Sequence, residues 1–160
     1  MSPLIEADQN NSEMKKVVII HGPNLDRLGK REQGFYGDLT LEQINEKIKY
    51  QAADLGLDID IYQSNNESEI VEYLRKASSS SDGIILNPAG FGHSSLVLRD
   101  AVIMSSVPVI EVHLSNIHAR ESFRSRTLTA DVCIGQITGF KWVGYCAALF
   151  VLKKIFEEII

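Results

Sequence analysis

The chain has 160 residues, 44% of them hydrophobic and 23% charged, which suits one domain with a real core. Its net charge of -5 argues against a basic surface for nucleic acid, and no apolar run approaches the length of a membrane span. The start, "MSPLIEADQNNSEM", is polar and acidic and lacks the basic-then-apolar pattern of a signal peptide. It reads as an extension over residues 1–14, ahead of a single domain over 15–160.

"VVII" (Val17 to Ile20) is too short for a helix and apolar throughout, so it reads as a strand buried on both faces. A long loop follows, "HGPNLDRLGKREQGFYG". "TLEQINEKIKYQAADLG" is a helix: Thr40 and Gln43 fit a capping box, Leu41, Ile44, Ile48 and Leu55 mark one face, and Gly56 suits the stop. "LDIDIYQ" alternates and reads as a strand, and "ESEIVEYLRKA" as a helix. "GIILNP" is a third strand, ending at Asn87, followed by a helix in "SSLVLRDAVIMSS". "VPVIEVHLS" is a fourth strand, and "HARESFRS" allows a short helix. "ADVCIGQI" is a weaker fifth strand before a closing helix in "FKWVGYCAALFVLKKIFEEII". Alternation of strand and helix implies an α/β fold with a parallel sheet covered on both faces. Five strands favour the flavodoxin-like order 2-1-3-4-5, a three-layer sandwich.

Ligands of such sheets bind beyond the carboxyl ends of the strands. Those ends carry "HGPNLDRLGKREQGFYG", "NPAGFGHSS" and "EVHLSNIHARESFR", which hold the histidines and most of the spare amides. Glu111 and His113 lie two apart on a strand and share a face. A carboxylate there orients the imidazole and favours its charged form, as a general acid requires. The plainer reading is a strand-end histidine bonded to a backbone carbonyl. His21 and His118 read as structural, and a metal site from Glu111, His113 and His118 matches no strong ligand pattern.

Arg120, Arg124 and Arg126, with Arg27, Lys30 and Arg31, gather cations at one edge of an acidic protein. Either they form a solvated loop or subunit contact, or they bind a small anionic substrate. "AGFGHSS" adds backbone N–H groups and a helix N-terminus that favours anions. Tyr36 either packs the loop or acts as a base, which needs cations near its phenolate; Arg31 is on the same loop. Cys133 and Cys146 stand in apolar contexts without metal-ligand spacing and read as reduced, buried and structural, in keeping with a cytoplasmic protein.

Four strings, "GPNLDRLGKREQGFYG", "QSNNESEIV", "NPAGFGHSSLVLRDA" and "VIEVHLSNIHARESFR", resemble type II 3-dehydroquinate dehydratase, in order and across nearly the whole chain. The resemblance implies a flavodoxin-like enzyme without metal or cofactor, assembled as a homododecamer of trimers. It implies anti elimination of water from 3-dehydroquinate, a small anionic cyclic hydroxy acid, through an enolate, in aromatic amino-acid biosynthesis. Tyr36 would be the base, Arg31 its activating cation, and Asn24 the holder of a water at the enolate oxygen. His113 would protonate the departing hydroxyl, oriented by Glu111. Asn87 and His93 would bind the polar face of the substrate. Leu114 (through its backbone) and Ser115 would hold its carboxylate, and Arg124 its ring hydroxyls. Asp100 would reach a neighbouring subunit's site, and Arg120 would support the site or that interface. The unrelated type I enzymes use a lysine Schiff base, and Lys30 is the single lysine in these three strand-end segments.

The chain departs from the family pattern at Asp26 and Arg27, at Gln33 where proline is common, and at Gly92 where threonine is common. These changes leave open a paralogue for quinate breakdown or a catalytically weakened binding module. A flavin or nucleotide binder is disfavoured, because the first loop lacks the compact glycine fingerprint and the lysine-serine pair of a P-loop.

Overall fold

The computed structural model describes residues 13–158. The N-terminal extension therefore lies outside the described residues, apart from Glu13 and Met14. Five parallel strands, β1 (Lys16–His21), β2 (Asp58–Gln63), β3 (Gly83–Asn87), β4 (Val109–His113) and β5 (Gly135–Thr138), form one sheet in the order β2-β1-β3-β4-β5. The helices are α1 (Gln33–Tyr36), α2 (Leu41–Asp54), α3 (Glu67–Ser80), α4 (Phe91–Ser94), α5 (Leu96–Ile103) and α6 (Val143–Phe156). The expected three-layer architecture and strand order are those observed.

Strand parity divides the core in two. Val17, Ile19, Ile85, Ile110 and Val112 pack with Ile44, Ile48, Tyr145, Leu149 and Leu152 of α2 and α6. Val18, Ile20, Ile84, Leu86 and Val109 pack with Ile70, Leu74, Leu98 and Val102 of α3 and α5. The same parity sends His21 and Asn87 towards the α2/α6 side and Glu111 and His113 towards the α5 side. Register sets His21 beside Asn87 and Leu86 beside Glu111. The three strand ends that carry chemistry thus meet at one edge, around the reversal between β1 and β3.

α2 starts with the expected capping box: Gln43 N–H donates to Thr40 Oγ1 at 3.2 Å, and Thr40 N–H donates to Gln43 Oε1 at 2.9 Å. Other boundaries differ from expectation. The long first loop contains a 3-10 turn (Leu25–Arg27) and the single turn α1, which ends on Tyr36. Residues expected in one short helix after β4 form two 3-10 turns, Ile117–Ala119 and Ser122–Arg124. The fifth strand starts only at Gly135, because Ala130–Val132 is a 3-10 turn. The helix after β3 is broken at Ser95, whose extended backbone ends α4 and whose hydroxyl caps α5 by accepting from Leu98 N–H at 2.9 Å.

Both cysteines are free but half-buried rather than buried. Cys133 lies in the turn before the edge strand, and Cys146 lies on a flank of α6. Burial, with Glu111 and Asp131 nearby, pushes the Cys133 thiol up to about 12, and burial also raises Cys146, so both stay protonated and unreactive at neutral pH.

Candidate active site

A cavity of about 200 Å³ opens beyond the carboxyl ends of β1, β3 and β4. Its wall includes Asn24, Arg31, Tyr36, Asn87, His93, His113, Leu114, Ser115, Arg120 and Arg124. A larger groove of about 620 Å³ beside β5 is lined by Pro108, Ile110, Ile134, Gly135, Gln136, Ile137, Val151 and Ile155, and offers no titratable group. The polar side chains carried by the ends of β1, β3 and β4 line the smaller cavity.

Gly22 lets the first loop reach the cavity. A Cβ there would lie 2.6 Å from the Pro88 carbonyl oxygen, so only glycine permits this approach of the β1 and β3 loops. Asn24 follows in the left-handed region (φ 65°), which asparagine tolerates. Its N–H donates to Asn65 Oδ1 at 2.8 Å, and its carbonyl accepts from Arg31 Nη1 at 3.3 Å. Asn65 Nδ2 in turn donates to Asp26 Oδ2 at 3.3 Å, so the departure at Asp26 is built into the support of this loop. Gln33 Nε2 donates to the Gly29 carbonyl at 3.3 Å, tying the start of α1 to the loop where a proline would act through backbone stiffness. Nothing in the structure explains Arg27.

The Tyr36 hydroxyl lies between two guanidiniums. Arg120 Nη1 donates to it at 2.7 Å and Arg31 Nη2 at 3.3 Å. The guanidinium of Arg31 also sits 4.4 Å from the Tyr36 ring centroid, and that of Arg120 sits 4.2 Å from the Phe35 ring. Arg120, expected to support the site or a subunit interface, is the nearer cation. It also donates to Ser115 Oγ at 3.3 Å, and its buried Nε has no hydrogen-bond partner among the described residues. The nearest charged oxygen to that Nε is Glu121 Oε2, at 3.8 Å.

Across the cavity, His113 Nε2–H donates to Glu111 Oε1 at 2.6 Å. Thr129 Oγ1 donates to Glu111 Oε2, and Gln136 Nε2 donates to Oε1 at 3.0 Å. Burial acts to raise the Glu111 carboxyl, but the His113 bond and charge and the two further donors outweigh it and hold Glu111 below the usual carboxylate range. Glu111 is thus a fully buried, ionised acceptor that orients His113 and leaves Nδ1 to serve the cavity. The alternative of a histidine bonded to a backbone carbonyl is not what is seen. Thr129 and Gln136 had no signal in the sequence beyond their nearness to the fifth strand.

His93 Nδ1–H donates to the Arg126 carbonyl at 2.9 Å, leaving Nε2 as its acceptor, and its ring centroid lies 5.9 Å from that of His113. Ala89, with φ 50°, is strained in the turn after Asn87, and its N–H donates to Asn87 Oδ1 at 3.1 Å. Gly92 packs so closely that a Cβ would lie 2.7 Å from Pro88 Cγ, which accounts for glycine where threonine is common. Arg124 Nε is held by Glu121 at 2.8 Å.

Asp100 is exposed on α5 and does not line this chain's cavity. His118 is exposed, and among the described residues no group of three or more His, Cys, Asp or Glu is placed to hold a metal ion, so Glu111, His113 and His118 do not converge as ligands. The expected anion site at a helix N-terminus is also corrected. The helix at the cavity, α4, is a single turn, and the longer α5 begins past Ser95, whose hydroxyl turns to Glu67 Oε1 at 2.9 Å.

His21 is fully buried, bonded through Nε2 to Asn45 Oδ1 at 2.8 Å and through Nδ1 to the Tyr145 hydroxyl at 2.9 Å. Burial, opposed in part by the Asn45 bond, pushes it down to about 4 from an ordinary 6.5. The folded state therefore refuses a proton that the unfolded chain accepts, so stability is full above pH 6.5 and falls as pH drops from there towards 4. Urea unfolding should show a loss of roughly 2 kcal/mol between pH 7 and pH 5 from this group. His21→Gln should remove most of that slope, and an unchanged slope would assign the acid sensitivity elsewhere.

The chain is similar to known proteins along most of its length. The family model described as Dehydroquinase class II matches residues 15–153. Proteins named 3-dehydroquinate dehydratase from Bacillus cytotoxicus and Bacillus mycoides are 50% and 48% identical, each over 91% of this chain and 99% of their own. A type II dehydroquinase crystal structure from Butyrivibrio crossotus superposes with a TM-score of 0.85 at 38% identity, over 87% of this chain and 97% of that one.

Proposed function

The chain belongs to the class II dehydroquinase family, and from that membership we propose that its cavity removes water from 3-dehydroquinate to give 3-dehydroshikimate, a step of the shikimate pathway. The observation that carries the reading is one phenol oxygen between two guanidiniums, facing a buried carboxylate-histidine pair across a small polar cavity. Elimination alpha and beta to a ketone needs that pair of groups: a base on one side, an acid on the other.

In the proposed mechanism, Arg120 and Arg31 stabilise the Tyr36 phenolate, which takes the proton alpha to the ketone. The carbon–hydrogen electrons pass to the ketone oxygen, and a water held by Asn24 steadies the enolate. The enolate then collapses, the carbon–oxygen bond of the leaving hydroxyl breaks, and His113 supplies the proton that makes it water. Glu111 compensates the imidazolium before transfer. The net loss is one water, and the two residues recover their starting states by passing one proton back from Tyr36 to His113. Leu114 N–H and Ser115 would hold the carboxylate, Asn87 and His93 the polar face, and Arg124 the ring hydroxyls. These roles need no metal or cofactor.

Residues 15–160 would form one catalytic domain. The exposed apolar residues Leu96, Val97 and Ile103 of α5, Met104 just after it and the groove beside β5 support a homo-oligomer, read as a cytoplasmic dodecamer of trimers with Asp100 reaching a neighbour's site. No helix among the described residues is long and apolar enough to cross a membrane. The alternatives, a quinate-breakdown paralogue or a weakened binding module, are not favoured, because the phenol, both guanidiniums and the histidine pair are all in place.

Purified protein mixed with 3-dehydroquinate and a chelator should show the rising ultraviolet absorption of a conjugated enone. A flat trace from folded, assembled protein would overturn the reading.

A further inference from the structure

Behind the cavity, on the α2/α6 side, four side chains form a continuous polar chain inside an otherwise apolar cluster. Asn87 Nδ2 lies 2.9 Å from the Tyr145 hydroxyl, which lies 2.9 Å from His21 Nδ1, and His21 Nε2 lies 2.8 Å from Asn45 Oδ1. His21 and Tyr145 are 0% exposed, and Asn87 is 2% exposed although it lines the cavity.

The chain has a direction. The Ala89 N–H can only donate, so the atom of Asn87 that faces it, 3.1 Å away, is Oδ1. That turns Nδ2, which can only donate, onto the Tyr145 oxygen. Tyr145 then gives its own proton to His21 Nδ1, and the neutral imidazole gives its Nε2–H to Asn45 Oδ1. Reversing the Asn87 amide would set its NH₂ against the Ala89 N–H, donor to donor.

Stability does not require such a chain. Phenylalanine at 145 and an aliphatic residue at 21 would fill similar space without desolvating polar groups, and paired replacement of buried partners is often near neutral. A fully satisfied buried network instead specifies one arrangement.

We infer that Tyr145 and His21 are positioning residues for the dehydration: with Asn45 behind them, they hold the Asn87 amide in one of its two orientations, so that it presents the same edge to the substrate at every turnover. The inference rests on the dehydratase reading of the cavity.

A double-mutant cycle tests it. Tyr145→Phe should lower kcat/KM about tenfold, the scale of one misplaced hydrogen bond. In an Asn87→Ala background the same change should have no further effect, because its only route to the substrate is gone. Tyr145→Phe within twofold of wild type, or full multiplication of the two effects, would overturn the inference. If Tyr145→Phe does not fold, His21 decides: His21→Gln, which keeps a donor and an acceptor, should retain activity, and His21→Leu should lose about tenfold. Equal rates for the two would sink it. Independently of turnover, nitrogen-15 shifts of His21 should report the Nε2–H tautomer, and the Nδ1–H tautomer would reverse the stated direction. Inactive wild type with the stated tautomer removes the dehydratase reading. Active wild type with an insensitive Tyr145→Phe removes the positioning role.

Discussion

Tyr36→Phe should lower kcat by about 10³-fold, within the range that positioned acid–base groups supply, while the protein folds and assembles as before. The substitution removes one oxygen and leaves the ring. Its edge contact with Phe35 (centroids 6.4 Å apart) and its place under Arg31 both survive. What is lost is the acceptor to which Arg120 and Arg31 donate, and with it the proposed base. The two guanidiniums remain, so the site keeps its positive charge and KM for the carboxylate substrate should rise little. In deuterated water the variant should also fail to exchange the proton alpha to the ketone. A rate within tenfold of wild type, or normal exchange, would move the base to another group.

His113→Ala should cost a similar factor in water loss, about 10²–10⁴-fold, but with a different signature. In the proposed order Tyr36 acts before His113, so alpha-proton exchange should persist while the enone fails to form. A variant that lost both activities equally would show that the two residues act in one step or that the site had collapsed. The second possibility is real, because His113 is a donor to a fully buried carboxylate. Thr129 and Gln136 still hold Glu111, and His113→Gln keeps a donor facing it, so that variant separates chemistry from structure.

The sequence by itself determined the layers and their order. Apolar runs of strand length, alternating with helices of period 3.6, leave few ways to bury every face, and right-handed crossovers prune the rest. It also determined features with a short reach: the Thr40–Gln43 cap, and Glu111 and His113 on one face of a strand, two residues apart. The motif strings marked Tyr36, Arg31 and Asn87 as site residues, though not what surrounds each of them. Local signals were weaker where backbone turns compete, so the break at Ser95 and the late start of β5 were not legible.

Only the tertiary structure decided which groups touch. Arg120 is 84 residues from Tyr36 and nearer to its oxygen than Arg31, five residues away. Thr129 and Gln136 converge on Glu111, and Asn45, His21 and Tyr145 converge behind Asn87, from five different elements or turns. The physical reason is one of range. Periodicity records whether a residue faces the core, because burial acts on each residue through its own element. A hydrogen bond between distant elements depends on how those elements pack, and no spacing along the chain records that.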